Sequence, residues 1–167
     1  MKARVAASVA LALAVAFGTA GCGFMAPQAT TKHYDASDGV GGTVGQIDVR
    51  NAMIITDASD GTVGNLVVTL VNNDTKSHRV AIQAKGQSSA TVYETVEPGE
   101  VKELGAHPTS SKGNVFFTNF DTKPGALFPV YFQYGSATGV NLQVPVLDGG
   151  LPEYKSLVPP TSAPAEQ

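Results

Sequence analysis

Apolar and polar residues alternate in short runs along the chain from residue 43 onward. In the clearest run, residues 65–72, Leu66, Val68 and Leu70 share one face of a strand, and Val67, Thr69 and Val71 share the other. Strict alternation over a few residues is typical of a β-strand with one buried face. The pattern predicts about eight strands, over residues 43–57, 65–72, 78–85, 90–96, 101–104, 114–120, 128–134 and 140–147.

Turn residues separate these runs and favour an antiparallel arrangement. The turns "EPGE" (97–100) and "KPGA" (123–126) place proline second and glycine third, where a positive φ is wanted. Short strands with frequent turns and no convincing helix predict an antiparallel immunoglobulin-like β-sandwich of about seven to eight strands. Pro145 cannot donate a ladder hydrogen bond, so the last strand is predicted to form an edge there or to carry a bulge.

The N-terminal 21 residues follow a different pattern. Lys2 and Arg4 precede an uncharged apolar run that ends in small residues. This layout predicts a secretory signal peptide over residues 1–21, with a retained membrane-spanning helix as the alternative. Residues 22–42 are small, polar and glycine-rich and predict a tether. The domains that follow are a sandwich over 43–150 and a proline-rich tail over 151–167.

Cys22 is the only cysteine and directly follows the predicted signal peptide. The stretch "TAGC" (19–22) resembles a bacterial lipobox, whose cysteine thiol receives a diacylglyceryl group and becomes the new N-terminus. A thiolate is the nucleophile that thioether formation requires. We therefore expect lipidation of Cys22 and an exported protein held at the outer face of the cytoplasmic membrane, because acyl chains anchor proteins by burying CH₂ groups.

Charge and cysteine content exclude some functions. The formal net charge is −3, and removal of Lys2 and Arg4 with the signal peptide lowers it to −5. An acidic chain without a basic cluster predicts no nucleic-acid partner. A single cysteine cannot form an internal disulfide, so the fold must depend on burial and strand pairing.

The segment "DASDG" occurs twice, at residues 35–39 and 57–61. A calcium loop needs several converging oxygens, whereas here the acidic residues are three apart with alanine between them. Asp and Ser also bond to nearby amides, and Gly accepts a positive φ. The favoured interpretation is therefore one turn sequence used twice, with a cation loop as the alternative.

Metal-binding and catalytic motifs are weak. The histidines are His33, His78 and His107, and no two of them lie at a ligand spacing with Met25 or Met53. No cofactor is predicted, although His78, His107 and Met53 remain an alternative ligand set for copper, since imidazole and thioether suit that metal. No nucleophile or zinc motif is present, so the protein is predicted not to be an enzyme.

Aromatic residues cluster between positions 116 and 134. Phe116 and Phe117 are neighbours, so in a strand they point to opposite faces. One of them, together with Tyr131, is predicted to form an outward patch that binds a partner, because exposed aromatic patches mark interaction sites. The alternative is that the proline-rich tail covers that face.

Three stretches, "YDASDGVG", "PVYFQYG" and "VPVLDGGLPEY", resemble actinobacterial exported lipoproteins of uncharacterised function. The resemblance implies an envelope location and a β fold. A looser similarity is to mycobacterial surface lipoproteins that have been compared with copper chaperones, but their Met/His ligand pattern is absent here. Two functions follow as hypotheses: a lipid-anchored, non-enzymatic module that binds a protein or envelope polymer, or an extracytoplasmic carrier of copper or a small ligand.

Overall fold

The computed structural model describes six stretches of the chain: residues 2–24, 35, 37–57, 62–84, 91–110 and 112–160. In the first stretch, the side chains are described as far as residue 15. The chain divides into two units, Met1–Tyr34 and Asp35–Gln167. In the first unit, helix α1 spans Lys2–Phe24. Among the described residues, no helix combines the length and the apolar character needed to cross a membrane.

The second unit is built from nine strands. They are β1 (Val40–Val44), β2 (Ile47–Thr56), β3 (Val63–Asn72), β4 (His78–Ala84), β5 (Val92–Val96), β6 (Val101–Leu104), β7 (Phe116–Thr118), β8 (Leu127–Tyr134) and β9 (Val140–Asp148). A single 3₁₀ turn follows at Lys155–Leu157. The predicted all-β sandwich is confirmed, and alternation alone located most of its strands.

The strands hydrogen-bond in the order β5-β4-β8-β9-β2-β3-β6, with β1 on β2 and β7 on β3. This path folds into two layers that pack face to face. Every pair is antiparallel except β2 and β9, which run parallel over Ile54–Thr56 and Val146–Asp148. The prediction of a purely antiparallel sandwich is therefore wrong at this one junction, where β9 passes from the β8 layer to the β2 layer.

Pro145 lies at this junction. β9 pairs with β8 as far as Pro145, opposite Leu127, and with β2 only from Val146 onward. At Pro145 the strand therefore has a partner on one side only, as the sequence predicted for a residue without an N–H. The amide of Val146 donates to the carbonyl of Ala126 at 2.9 Å, so pairing resumes at once.

Alternate residues of both layers form one core. The predicted inward faces of β3, β4, β8 and β9 form this core, with Leu66, Ile82, Phe132 and Val144 buried and the end residues Tyr134 and Val140 partly buried. Complete burial of one such side chain contributes about 1.5–3 kcal/mol. The core therefore supplies the stability that a disulfide gives to many exported domains.

A salt bridge connects the two edge strands. Glu94 in β5 and Lys102 in β6 are opposite the core-facing residues Val80 and Leu70 in their neighbouring strands, so both point inward. The Lys102 Nζ lies 2.9 Å from Glu94 Oε2, and it also donates to the carbonyl of Thr95 at 2.6 Å. The open side of the sandwich is thus closed by a charge pair rather than by backbone pairing.

The N-terminal boundary of the sandwich differs from the prediction. The single strand predicted over 43–57 is two strands, β1 and β2, joined by a turn in which Gly45 has φ of +55°. β1 begins at Val40, inside the predicted tether of 22–42. The segment "VGG" has no alternation that could have revealed this, because glycines carry no side chain to bury.

The C-terminal segment, residues 151–160, packs on the outer face of β2 and β3. Tyr154 is buried there with Met53 and Ile55, beside four partly buried residues: Val67, Leu147, Leu157 and Val158. The buried Asn65 donates its amide to the carbonyl of Leu157 at 2.9 Å. The tail was predicted to lie along the domain surface, and it does so as far as residue 160. Residues 161–167 lie outside the described part of the chain.

Candidate functional site

One end of the sandwich carries a cluster of polar side chains. His78 and Tyr134 both lie on the inward side of their strands, and their rings are in tilted contact, with centroids 4.3 Å apart and an interplanar angle of 39°. The His78 Nε2 lies 2.9 Å from Asp74 Oδ2. This hydrogen bond, followed by that from the Thr75 amide, holds the pKa of Asp74 below its usual value. We call Asp74, His78 and Tyr134 the polar end.

The β1–β2 turn seals the polar end. The amide of Gln46 donates to the Tyr134 hydroxyl at 2.9 Å. A Cβ added to Gly45 would lie 2.3 Å from that hydroxyl, so only glycine fits here without displacing Tyr134. Next to it, burial raises the pKa of Asp48, but hydrogen bonds from Arg50, Asn73 and Thr43 outweigh burial and lower it. These contacts give the polar end a structural role.

The Asp74–His78 pair has the composition of a general-base dyad but not its setting. A dyad of this kind needs a nucleophile within hydrogen-bond reach of the imidazole. Within the described part of the chain, Asp74 is the only residue that hydrogen-bonds to the His78 imidazole. The Tyr134 ring also contacts the imidazole ring at a tilt. The arrangement therefore supplies no chemistry beyond a hydrogen-bonded pair.

The candidate copper ligands do not come together. His78 is at the polar end, His107 is exposed in the loop after β6, and Met53 lies beneath the C-terminal segment. Within the described residues, no group of three or more His, Cys, Asp or Glu side chains could hold a metal ion. Met25 and His33 lie outside the described residues. The structure therefore does not bring His78, His107 and Met53 together into one site.

The candidate aromatic residues separate in the same way. Phe117 is buried in the core, so of the two neighbouring phenylalanines it is the one that points inward and is not available to a partner. Phe116, opposite Asn65 of β3, is half-buried on the outer side of the layer that the C-terminal segment covers. Tyr131 is half-buried on the outer side of the other layer. The single patch of Phe116 and Tyr131 does not exist, because the two strands belong to different layers.

The first "DASDG" copy joins the two ends of the domain. The amide of Gly41 donates to Asp35 Oδ2 at 2.9 Å, and the Tyr154 hydroxyl donates to Asp38 Oδ2. Gly39 was expected to take a positive φ. Instead, glycine is required by close approach, since a Cβ there would lie 2.5 Å from the Asn51 carbonyl carbon. The turn interpretation of the second copy is untested, because residues 58–61 lie outside the described chain.

Sequence reasoning missed the outer face of the layer formed by β5, β4, β8 and β9. The strand registers place these outward residues on it: Arg79, Ala81, Gln83, Tyr93, Thr95, Leu127, Pro129, Tyr131, Gln133, Asn141, Gln143 and Pro145. We call this surface the open face. The signal was available in each strand as alternate polar positions, but only the pairing shows that these positions form one surface.

Solved structures of PCuAC domains share the chain's fold. The apo PCuAC domain from PmoF1 matches with a TM-score of 0.53 at 12% identity, over 64% of this chain and 98% of that domain. The chain therefore shares the β-sandwich fold of that domain. The copper-bound PCuAC domain from PmoF2 gives a TM-score of 0.47 at 13% identity, covering 65% of this chain and 97% of its own.

The apo PCuAC domain from PmoF2 gives a TM-score of 0.49 at 13% identity, over 67% of this chain and 98% of its own. No protein-family model and no curated protein matches the chain. The resemblance to actinobacterial lipoproteins therefore stays a prediction. At these identities, the PCuAC likeness establishes a shared sandwich and leaves the ligand to be argued from the residues themselves.

Proposed function

We propose that this protein is a lipid-anchored binding module of the cell envelope, displayed outside the cytoplasmic membrane and without enzymatic activity. The observation that carries the proposal is the PCuAC-type sandwich, a fold that its solved neighbour uses as a discrete domain. The apolar N-terminal run and the lipobox-like "TAGC" supply the route of export and the anchor. Cys22 lies within α1, and its side chain is outside the described part of the chain.

Binding rather than catalysis is supported by the site chemistry. Enzymes place perturbed titratable groups in a concave pocket next to a nucleophile or metal. The polar end instead contains an aspartate that accepts hydrogen bonds from His78 and Thr75, and a histidine whose ring packs at a tilt against a tyrosine ring. The described residues thus favour binding of a ligand at the protein surface. The lipid anchor determines where in the cell envelope this binding takes place.

Replacing Cys22 tests the location. We expect Cys22→Ser to move the protein out of the membrane fraction or to leave it unprocessed, since a serine hydroxyl does not form the thioether. The measurement is cell fractionation followed by immunoblotting of the wild type and the variant. Ser8→Ala, in the same helix, is the control and should fractionate like the wild type. Identical processing and fractionation of Cys22→Ser would contradict the proposal.

A copper carrier is the second candidate, and one observation favours it: a PCuAC domain of the same fold class is known with copper bound. The described residues of this chain do not fit such a role by themselves, because His78, His107 and Met53 are apart. Copper binding would have to draw on Met25 and His33, which imidazole and thioether chemistry allows.

Metal analysis separates the two candidates. We expect the full chain, purified from cells without chelator, to contain copper and zinc at well below one ion per molecule by plasma mass spectrometry. A double variant, Met25→Leu with His33→Gln, should show the same metal content if these residues carry nothing. Stoichiometric copper in the wild type that is lost in the double variant would establish the carrier instead.

A further inference from the structure

The C-terminal segment covers the outer face of only one of the two layers of the sandwich. The C-terminal segment covers the outer face of β2 and β3, where Tyr154 packs on Met53 and Ile55. No described segment covers the open face on the other layer. There Tyr93 is 51% exposed, and Arg79, Gln83, Asn141 and Gln143 are exposed around it. One face is occupied within the molecule, and the other is available to a ligand.

The open face is almost free of charge. Of its outward residues on the described strands, Arg79 alone is charged, and its guanidinium lies 4.0 Å from the centre of the Tyr93 ring. Glu94 and Lys102, on the neighbouring edge strands, point inward and pair with each other. A charged polymer would find almost no complementary field on this surface, so its electrostatic character suits a neutral ligand.

Four amide side chains give the open face its capacity for hydrogen bonding. Gln83 donates to the Thr91 hydroxyl at 2.7 Å, and Gln133 donates to the carbonyl of Gly135 at 2.7 Å. Asn141 and Gln143 make no side-chain hydrogen bond to any other described residue. An amide side chain has two donors and an acceptor, so it can donate a hydrogen bond to a hydroxyl group or accept one from it. The face therefore matches a ligand rich in hydroxyls.

Two tyrosines complete the pattern. Tyr93 is opposite Ala81 of β4, and Tyr131 is opposite Gln83, the next outward residue along that strand. Two inter-strand spacings and one two-residue step put their backbones about 12 Å apart. Amphipathic rings present an apolar surface with a polar tip. Two such rings, with Asn141 and Gln143 on β9 beside Tyr131, suit the C–H faces and hydroxyls of successive sugar units.

We propose that the open face binds a neutral glycan of the envelope, with Tyr93 and Tyr131 as stacking platforms and Asn141 and Gln143 as hydroxyl-binding groups. The inference rests on the proposed function, since it names the polymer that the anchored module meets. A protein partner is disfavoured because the centre of the face, around Ala81, is bordered by glutamines instead of the apolar core that interfaces use.

The test is a retention assay with the full chain in mild detergent. The probe is cell wall from the bacterium that carries the protein, after delipidation and protease treatment, with neutral and anionic oligosaccharides as separate competitors. We expect retention of the wild type and its release by the neutral competitor. Tyr93→Ala and Gln143→Ala should each weaken retention about fivefold. Both residues are exposed, and circular dichroism checks that the variants fold.

Val101→Ala is the matched control, because Val101 is 62% exposed on the outward side of β6 in the other layer. It should bind like the wild type. The inference is overturned by absence of retention, by equal loss in the control, by release with only the anionic competitor, or by binding that disappears after protease treatment. A protein that fractionates with the membrane but is not retained refutes only the glycan. Processing and membrane fractionation of Cys22→Ser that are both identical to the wild type refute only the anchor.

Discussion

Gly105→Ala is expected to lower the free energy of unfolding by about 3 kcal/mol, the largest loss that we expect from any glycine of the chain. Gly105 follows β6 with φ of +76°, a conformation that costs other residues about 1–2 kcal/mol. A Cβ there would also lie 2.2 Å from the carbonyl oxygen of Leu66. That oxygen belongs to a core strand, so relief requires movement of the backbone.

Two hydrogen bonds would be disturbed by this movement. The amide of Gly105 donates to the carbonyl of Gly113 at 2.7 Å, and its own carbonyl accepts from the buried amide of Asn65 at 2.9 Å. Loss of one such bond in the interior costs about 1 kcal/mol or more. Gly105→Ala therefore disturbs both the loop after β6 and the hydrogen bond that connects this loop to β3.

Gly99→Ala is the matched control for Gly105→Ala. Gly99 has a similar φ of +69°, but a Cβ there would meet no atom within 4 Å. Gly99→Ala should therefore lower the free energy of unfolding only through its unfavourable φ, by about 1 kcal/mol. Urea unfolding of the full chain, followed by circular dichroism, gives both values. Equal losses for the two variants would show that close approach to Leu66 does not determine the requirement for glycine.

Tyr154→Ala is expected to destabilise the protein by about 3 kcal/mol, because it empties the cluster beneath the C-terminal segment. Tyr154 is 7% exposed and packs with Met53 and Ile55. Tyr154→Phe keeps the ring and removes only the hydrogen bond to Asp38. It should cost about 1 kcal/mol. Tyr93→Ala, at an exposed tyrosine, should change stability by less than about 0.5 kcal/mol.

The same contact predicts a pH dependence. The hydrogen bond to Asp38, followed by burial, raises the pKa of Tyr154 to about 12, against about 10 in an unfolded chain. A raised folded-state pKa means that the native state keeps its proton longer. The contribution is therefore fully present below pH 10 and is lost as the pH rises towards 12.

The Phe variant isolates this effect. Tyr154→Phe has no phenol to titrate, so its stability deficit relative to the wild type should shrink between pH 10 and pH 12. The measurement is urea unfolding of both proteins across that range, in which other titrating groups act equally on the pair. A deficit that stays constant with pH would mean that folding does not raise the pKa of Tyr154.

Local patterns predicted the strands and turns of this fold well. Alternation identified the buried faces of β3, β4, β8 and β9 because the side-chain period of a strand is two residues. The "PG" turns also hold, since Gly99 and Gly125 both have positive φ. These features depend only on residues that are close together in the chain, so the sequence is sufficient to predict them.

Partnerships between distant residues were beyond the sequence. Alternation states which face of a strand is buried but not which strand lies beside it, so the parallel pairing of β2 with β9 gave no signal. Tyr154 and Asp38 are 116 residues apart. Phe116 and Tyr131 were placed on one patch for the same reason, although their strands belong to different layers.

The proposed function depends on where this sandwich is displayed, and the mass of the intact protein tests that location most directly. Protein extracted from membranes should begin at Cys22, lack the 21 residues before it and carry acyl chains on the cysteine sulfur. A membrane-associated chain that retains Met1 and a free Cys22 thiol would contradict the central claim.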